Sequence, residues 1–543
     1  MSTPSSPPQS SPPPPIPPPP SYSTSIKKTF HHLYSLTLPS SSPPSTYSNH
    51  IPAYDGIRTL ALLWVISFHS QFFLTNFSSR SDSEIMRLAC LNNITCVPLI
   101  NGHLGVDIFF VLSGILVVSN LIGGGVEWKN IIKFYIRRLF RICPSFYFTY
   151  TIYCSIANFI GGPARQCTFP NEVFKNILFY QNEYPVAEQC MAWGWTVAVE
   201  VQFYLIAPIV VLLGRLINKG VGGSLLGFGV LSILFLVPRM SIPYDYSPKL
   251  TSLQLLESTA HNSADDYFSR MYASSETRIF SCFMGGFAGC CLSWCRENLK
   301  GDERVLLKVN TVSTVLFFVI VFLVFSDYAT TFNIDENDNL FLIYFRPIFS
   351  LLLSMFMLAL GVSRHLENCL SSEIAVGIVV SEGTEGSKTL VSMSEDTNLM
   401  VCLNFLTTLP KKILTPSWYK INSHTAHLIS YDSFLLHPLL INGLYLVFLG
   451  DLKPLAMDEK KLTWFYVLLV LFNFYTAYFF AALMYCLIGK PWLDLGNRLL
   501  DRLGLGRTES VNYVERSGSE VEGDDEDDRE SLLLNDGDDD NRL

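Results

Sequence analysis

One apolar stretch of the sequence carries a histidine and an arginine in register. In YDGIRTLALLWVISFHSQFF, Arg58 and His69 are eleven residues apart, about three whole helical turns, so both side chains fall on one face of a helix. At 1.5 Å per residue they are separated by roughly 16 Å along the axis. That spacing puts the arginine at one membrane interface and the histidine near the middle of a hydrocarbon layer about 30 Å thick. A neutral imidazole there can take a proton from a hydroxyl or amine, or be acylated transiently. An ionisable residue at that depth is a functional hypothesis by default. On position alone it could equally be a packing histidine that hydrogen-bonds a neighbouring helix.

Further polar residues recur inside apolar runs. In GHLGVDIFFVLSGIL, Asp107 and Gly114 are seven residues apart and share a helix face, which aligns a carboxylate with a surface for close helix approach. In RRLFR, Arg138 and Arg141 stand at i,i+3, where two guanidinium forks could hold phosphate oxygens or simply anchor a helix end. In WGWTVAVEVQFYLIAP, Glu200 and Tyr204 stand at i,i+4, and a buried glutamate requires a partner. His103 and Asp107 also spell HxxxD, but the aspartate belongs to the membrane motif and the histidine to the end of the helix. The thirteen cysteines follow no CxxC rhythm and have no histidines at ligand spacing, which points away from a metal site.

The elements that must position these groups are membrane spans. Of the 543 residues, 49% are hydrophobic and only 16% charged, too few charges to cover a soluble protein of this size. The formal net charge is -9, and residues 521–543 hold eleven acids against Arg529 and Arg542, so the membrane body is near neutral. With cations scattered singly or in pairs at helix ends, nucleic acid is excluded as a partner. Ten apolar stretches are long enough to span, approximately 57–77, 102–122, 134–158, 195–217, 222–238, 278–295, 309–326, 341–362, 427–449 and 463–489. The expected fold is all-α, a polytopic transmembrane bundle. No cleavable leader is read near Met1, so insertion is expected to start from an uncleaved helix.

Lysines and arginines concentrate in the segments that place both termini in the cytosol. On the opposite side fall Asn93, in the acceptor sequence Asn93-Ile94-Thr95, and two cysteine pairs that could be disulfides, Cys90 with Cys96 and Cys167 with Cys190. Residues 1–50, with PPPPIPPPP, read as a disordered cytosolic tail. Residues 51–490 form the transmembrane domain, with 363–426 as a long cytosolic loop, and 491–543 read as an acidic disordered tail. In that tail Asp528-Arg529-Glu530-Ser531-Leu532-Leu533 is similar to an acidic dileucine signal, so sorting adaptors are candidate partners and an endolysosomal, vacuolar or plasma membrane is the expected location.

Taken in order, these segments resemble the acyltransferase-3 family of membrane-bound acyltransferases, which includes bacterial O-antigen acetylases and nose-resistant-to-fluoxetine proteins of animals. The resemblance runs through Asp55-Gly56-Ile57-Arg58 with His69, Gly105-Val106-Asp107 with Phe109-Phe110 and Ser113-Gly114, and Arg138 with Arg141. It continues through Trp195 to Glu200 and Gln202-Phe203-Tyr204, Thr277-Arg278 with Gly285-Gly286, and Ile429-Ser430-Tyr431 to Leu436-His437-Pro438. It covers roughly residues 54–489. Val201 departs from the second glutamate common in bacterial members, and 363–426 is longer than the corresponding family loop.

The resemblance implies a cytosolic acyl-CoA donor, with acetyl-CoA the expected form, and no permanently bound cofactor. Arg58, Arg138, Arg141 and Tyr204 would bind the donor, and His69 would act as general base or acyl carrier. Asp107 or Glu200 would orient the imidazole, with Arg278, Tyr431 and His437 in substrate contact or structural support. The acceptor, a hydroxyl or amine of a carbohydrate, lipid or small molecule, is left open. Two rival classes fit the same helices: a lipid or small-molecule transporter, and an inactive membrane scaffold of the same fold.

Overall fold

A computed structural model describes residues 51–77, 101–125, 127–160, 171–185, 188–218, 220–237, 268–332, 339–381, 417–448 and 459–505. In chain order the helices are α1 (Pro52–Phe77), α2 (Gly105–Gly123), α3 (Trp128–Ile160), α4 (Asn171–Ile177), α5 (Trp195–Ile217), α6 (Gly222–Leu234), α7 (Ser275–Asn298), α8 (Glu303–Phe332), α9 (Asn339–Ser381), α10 (Ser417–Phe448), α11 (Glu459–Met484) and α12 (Lys490–Arg502). No strand occurs among the described residues. The chain is an all-α, polytopic membrane bundle.

Each of the ten apolar stretches coincides with a helix. Among the described residues six helical segments are both long and apolar enough to cross a bilayer: Asn101–Gly123, Ala192–Ile217, Ser269–Asn298, Glu303–Phe325, Tyr344–Ser371 and Trp464–Arg502. Helices α1, α3 and α10 run for 26, 33 and 32 residues, enough to span about 30 Å at 1.5 Å per residue. The stretch at 222–238 is shorter in the structure, with α6 covering 13 residues. Large apolar side chains lie on the outside of the bundle, among them Phe322 at 70% and Trp464 at 70% exposure, where lipid is their natural solvent.

Helix α2 is the hub. Val111, Leu112, Ile115 and Val118 are buried, and α2 packs on α1, α5, α7 and α9. The tightest pairing, with α7, depends on glycine. A Cβ on Gly114 would lie 2.7 Å from the Gly286 nitrogen, and one on Gly285 would lie 2.9 Å from the Val111 carbonyl carbon. Small residues thus let two backbones touch where lipid supplies no hydrophobic drive.

Two boundaries differ from the sequence reading. Helix α9 continues to Ser381, so the segment read as loop from residue 363 begins as helix. Beyond the last span, residues read as tail form α12, with Pro491 in its first turn, Gly496 and Leu500 buried, and Trp492 6.0 Å from Phe140 of α3. Its apolar residues recur at helical spacing, and packing against α3 orders what composition alone marked as tail. Residues 1–50, residues 506–543 with the dileucine sequence, Asn93, Cys90, Cys96 and Cys167 lie outside the described residues.

Candidate active site

Five helices converge on one pocket that is partly open to solvent. Helix α1 contributes Arg58; α2 contributes Phe109, Phe110 and Ser113; α3 contributes Arg138 and Arg141; α5 contributes Glu200 and Tyr204; α10 contributes Tyr431 and Phe434. Six of the residues singled out in the sequence therefore share one space: Arg58, Arg138, Arg141, Glu200, Tyr204 and Tyr431.

The polar centre of the pocket is a hydrogen-bonded cluster. The Ser113 hydroxyl donates to Glu200 Oε1 at 2.5 Å and lies 2.9 Å from the Tyr204 hydroxyl. Tyr204 itself donates to the same carboxylate oxygen, across one turn of α5. Arg138 stacks on this cluster, its Cζ 4.6 Å from the Tyr204 ring centroid and 5.4 Å from that of Phe134, with Nη1 3.5 Å from the Tyr204 hydroxyl. Rings hold the guanidinium in place by cation–π attraction. Glu200, half-buried, thus has hydrogen-bond partners for its charge. Tyr431 donates to the Ile142 carbonyl at 3.2 Å, fastening α10 to α3.

His69 lies beyond this pocket's lining and meets His437 of α10, with Nδ1 of one ring 2.8 Å from Nε2 of the other. Their centroids are 4.9 Å apart. His437 is buried, and helix α10 continues past Pro438 without a break. Phe434 stands between the pair and the pocket, 5.6 Å from His437 and 5.5 Å from Phe109.

Asp107, one of the two carboxylates considered for orienting His69, meets a set of buried cations and a hydroxyl. It accepts from Arg278 at 3.0 Å, from Arg346 at 2.9 Å and from Ser281 at 3.0 Å. Asp107 is wholly buried, Arg278 is 1% and Arg346 7% exposed. The Arg278 guanidinium also lies 5.2 Å from the Trp195 and Tyr272 rings and 5.6 Å from Phe110. A carboxylate at this depth requires its cations, and two strong pairs leave it fixed between α7 and α9. Glu200 likewise bonds Ser113 and Tyr204, so neither carboxylate is seen on the imidazole.

Three participants escaped sequence reasoning. Arg346 is an intramembrane cation within an apolar run, the same signal that drew attention to Arg58. Ser113 was visible only as part of a motif, and Phe434 had no signal apart from its i,i+3 spacing to His437. Cys190 is disulfide-bonded, and the eight other described cysteines are free, so its partner is none of them.

An all-helical bundle whose spans meet around three arginines, a carboxylate and two tyrosines defines a polytopic membrane protein with a polar pocket inside its helical core. The chain belongs to the acyltransferase-3 family: the family model, described as an acyltransferase domain, matches residues 51–379. That range contains Arg58, His69, Asp107, Arg138, Arg141, Glu200, Tyr204, Arg278 and Arg346, and stops short of Tyr431 and His437. The chain is 24% identical to the O-acetyltransferase OatA of Staphylococcus aureus over 296 residues, 51% of this chain and 40% of the relative. It is 24% identical to Nose resistant to fluoxetine protein 6 of Caenorhabditis elegans over 349 residues, 57% of this chain and 40% of the relative. Bacillus subtilis YrhL, named as a candidate peptidoglycan O-acetyltransferase, is 24% identical over 300 residues, 52% of this chain and 40% of the relative. The matched regions cover 40% of the length of these relatives. No solved structure matches the chain.

Proposed function

We propose that this protein is a membrane acyltransferase that moves an acyl group, acetyl in the first instance, from cytosolic acyl-CoA to a hydroxyl or amine presented from the other side of the membrane. The observation that carries this reading is the gathering of Arg58, Arg138 and Arg141 from two helices into one pocket. Three guanidinium groups beside an apolar interior suit a ligand with phosphates at one end and a lipophilic arm at the other. The Lys/Arg distribution supports a cytosolic position for that end of the bundle, where acyl-CoA is found. The acetyltransferase relatives support the reaction class.

In this reading the CoA phosphates bind the arginines and the thioester reaches toward His69. The acceptor oxygen or nitrogen gives its proton to the imidazole and attacks the thioester carbonyl. A new C–O or C–N bond forms, the C–S bond breaks, and the CoA thiolate leaves and recovers the proton from the imidazolium. His437, bonded to the Nδ1 side of His69, orients the ring and selects its tautomer. An acyl-imidazole at His69, resolved by the acceptor in a second step, uses the same residues. Glu200, held by Ser113 and Tyr204, balances the arginine charge within the pocket.

The test is purified full-length protein in lipid vesicles, supplied with radiolabelled acetyl-CoA together with membrane lipid and glycan extracts. CoA release and label transfer to an extract component are expected. Absence of both thioester consumption and CoA binding would overturn the reading in favour of transport or scaffolding.

A further inference from the structure

The arginine-lined pocket and the histidine pair are neighbours separated by aromatic rings. The pocket wall includes Phe109 and Phe434, while neither His69 nor His437 belongs to it. Phe434 precedes His437 by one helical turn on α10, their rings 5.6 Å apart, and Phe109 of α2 closes against Phe434 at 5.5 Å and 60°. Both phenylalanines are half-buried, whereas His437 behind them is 1% exposed. Of the rest of the lining, Val106, Phe110 and Val197 are hydrocarbon, while Ser113, Thr196 and Ser430 carry hydroxyls. The pocket thus combines three arginines with a pair of packed phenylalanine rings, one of which also touches His437.

We propose that Phe434, seated against Phe109, is the residue that sets which acyl groups reach His69. The inference rests on the acyl-CoA reading above. With the CoA phosphates on Arg58, Arg138 and Arg141, the acyl end is the part of the donor that arrives at the rings. An acetyl group ends there, and a rotamer change of Phe434 brings its carbonyl to the imidazole. A longer chain must occupy the volume the rings fill, and a well-packed aromatic wall yields such volume at a large cost. The same wall helps to keep water from His437, which is 1% exposed. The transfer chemistry is unchanged; the rings choose its substrate.

The test uses full-length protein in lipid and unreactive thioether analogues, S-ethyl-CoA and S-hexyl-CoA, so that no acceptor is needed. The wild type is expected to bind S-ethyl-CoA more tightly than S-hexyl-CoA. Phe434→Ala is expected to raise the affinity for S-hexyl-CoA relative to S-ethyl-CoA on the order of tenfold or more, because several methylenes gain apolar room. Phe109→Ala opens the same wall from the other helix and serves should Phe434→Ala not fold; Phe434→Leu should fall between. A wild type that prefers S-hexyl-CoA, or an unchanged ratio in folded variants that still bind CoA, overturns the inference and leaves the donor reading intact. Failure of the wild type to bind CoA or either analogue overturns both.

Discussion

His69 of α1 and His437 of α10 meet nitrogen to nitrogen at 2.8 Å although 368 positions separate them in the chain. A single hydrogen occupies that bridge, so one ring donates and the other accepts. If His69 Nδ1 donates, its Nε2 is the bare nitrogen of a base; if His437 donates, His69 carries its hydrogen on Nε2. The pair therefore couples the tautomer of the reactive ring to a second imidazole, and two charged rings face to face are disfavoured.

From that coupling, His437→Ala should lower kcat for acyl transfer by at least about tenfold, toward the 10⁴-fold seen when a catalytic histidine loses its orienting partner. KM for acetyl-CoA should change little, since the donor arginines are untouched. His437→Asn or His437→Gln, each with an amide able to bond His69, should recover part of the loss. Steady-state kinetics with the three variants checks this, and an equal loss in all three would assign His437 to packing alone.

The arginine pocket gives a second expectation. Arg138→Ala with Arg141→Ala should weaken CoA binding by roughly a hundredfold or more, since each charge-assisted contact is worth about 1.5–3 kcal/mol. Binding of CoA should suffer as much as binding of acetyl-CoA, because the lost contacts are to the phosphates. Dephospho-CoA competition and calorimetry measure this, and unchanged affinity would return both arginines to the role of membrane anchors.

Asp107 yields an expectation about stability. Replacing it by asparagine leaves Arg278 and Arg346 buried without their carboxylate, and breaking such a cluster costs about 3–5 kcal/mol. Asp107→Asn should therefore lower the midpoint of thermal unfolding in detergent markedly. Surviving folded protein should retain its affinity for CoA. A variant as stable as the wild type but unable to bind CoA would instead place Asp107 in donor recognition.

How much of this was legible beforehand depends on the distance over which each signal acts. The helix containing Arg58 and His69, the pairing of Glu200 with Tyr204, and the glycines at Gly114 and Gly285 are local or compositional, and the structure has them where the spacing put them. Asp107 or Glu200 was considered as the carboxylate that orients His69, with no pattern to choose between them. Which of several buried charges meet is settled by helix packing across 171 and 239 residues, and no single-sequence pattern encodes that. The same reason hid Phe434, an ordinary apolar residue until α2 and α10 are brought together. Helix α12 was missed because it is too polar for a span; it is ordered by contact with Phe140.

The most direct measurement is the turnover of acetyl-CoA by His69→Ala in lipid, beside wild type of equal folded content. Loss of a general base removes about 10²- to 10⁴-fold, so transfer should fall at least that far while CoA binding persists. Full turnover by a folded His69→Ala protein would contradict the assignment of the reaction to this helix.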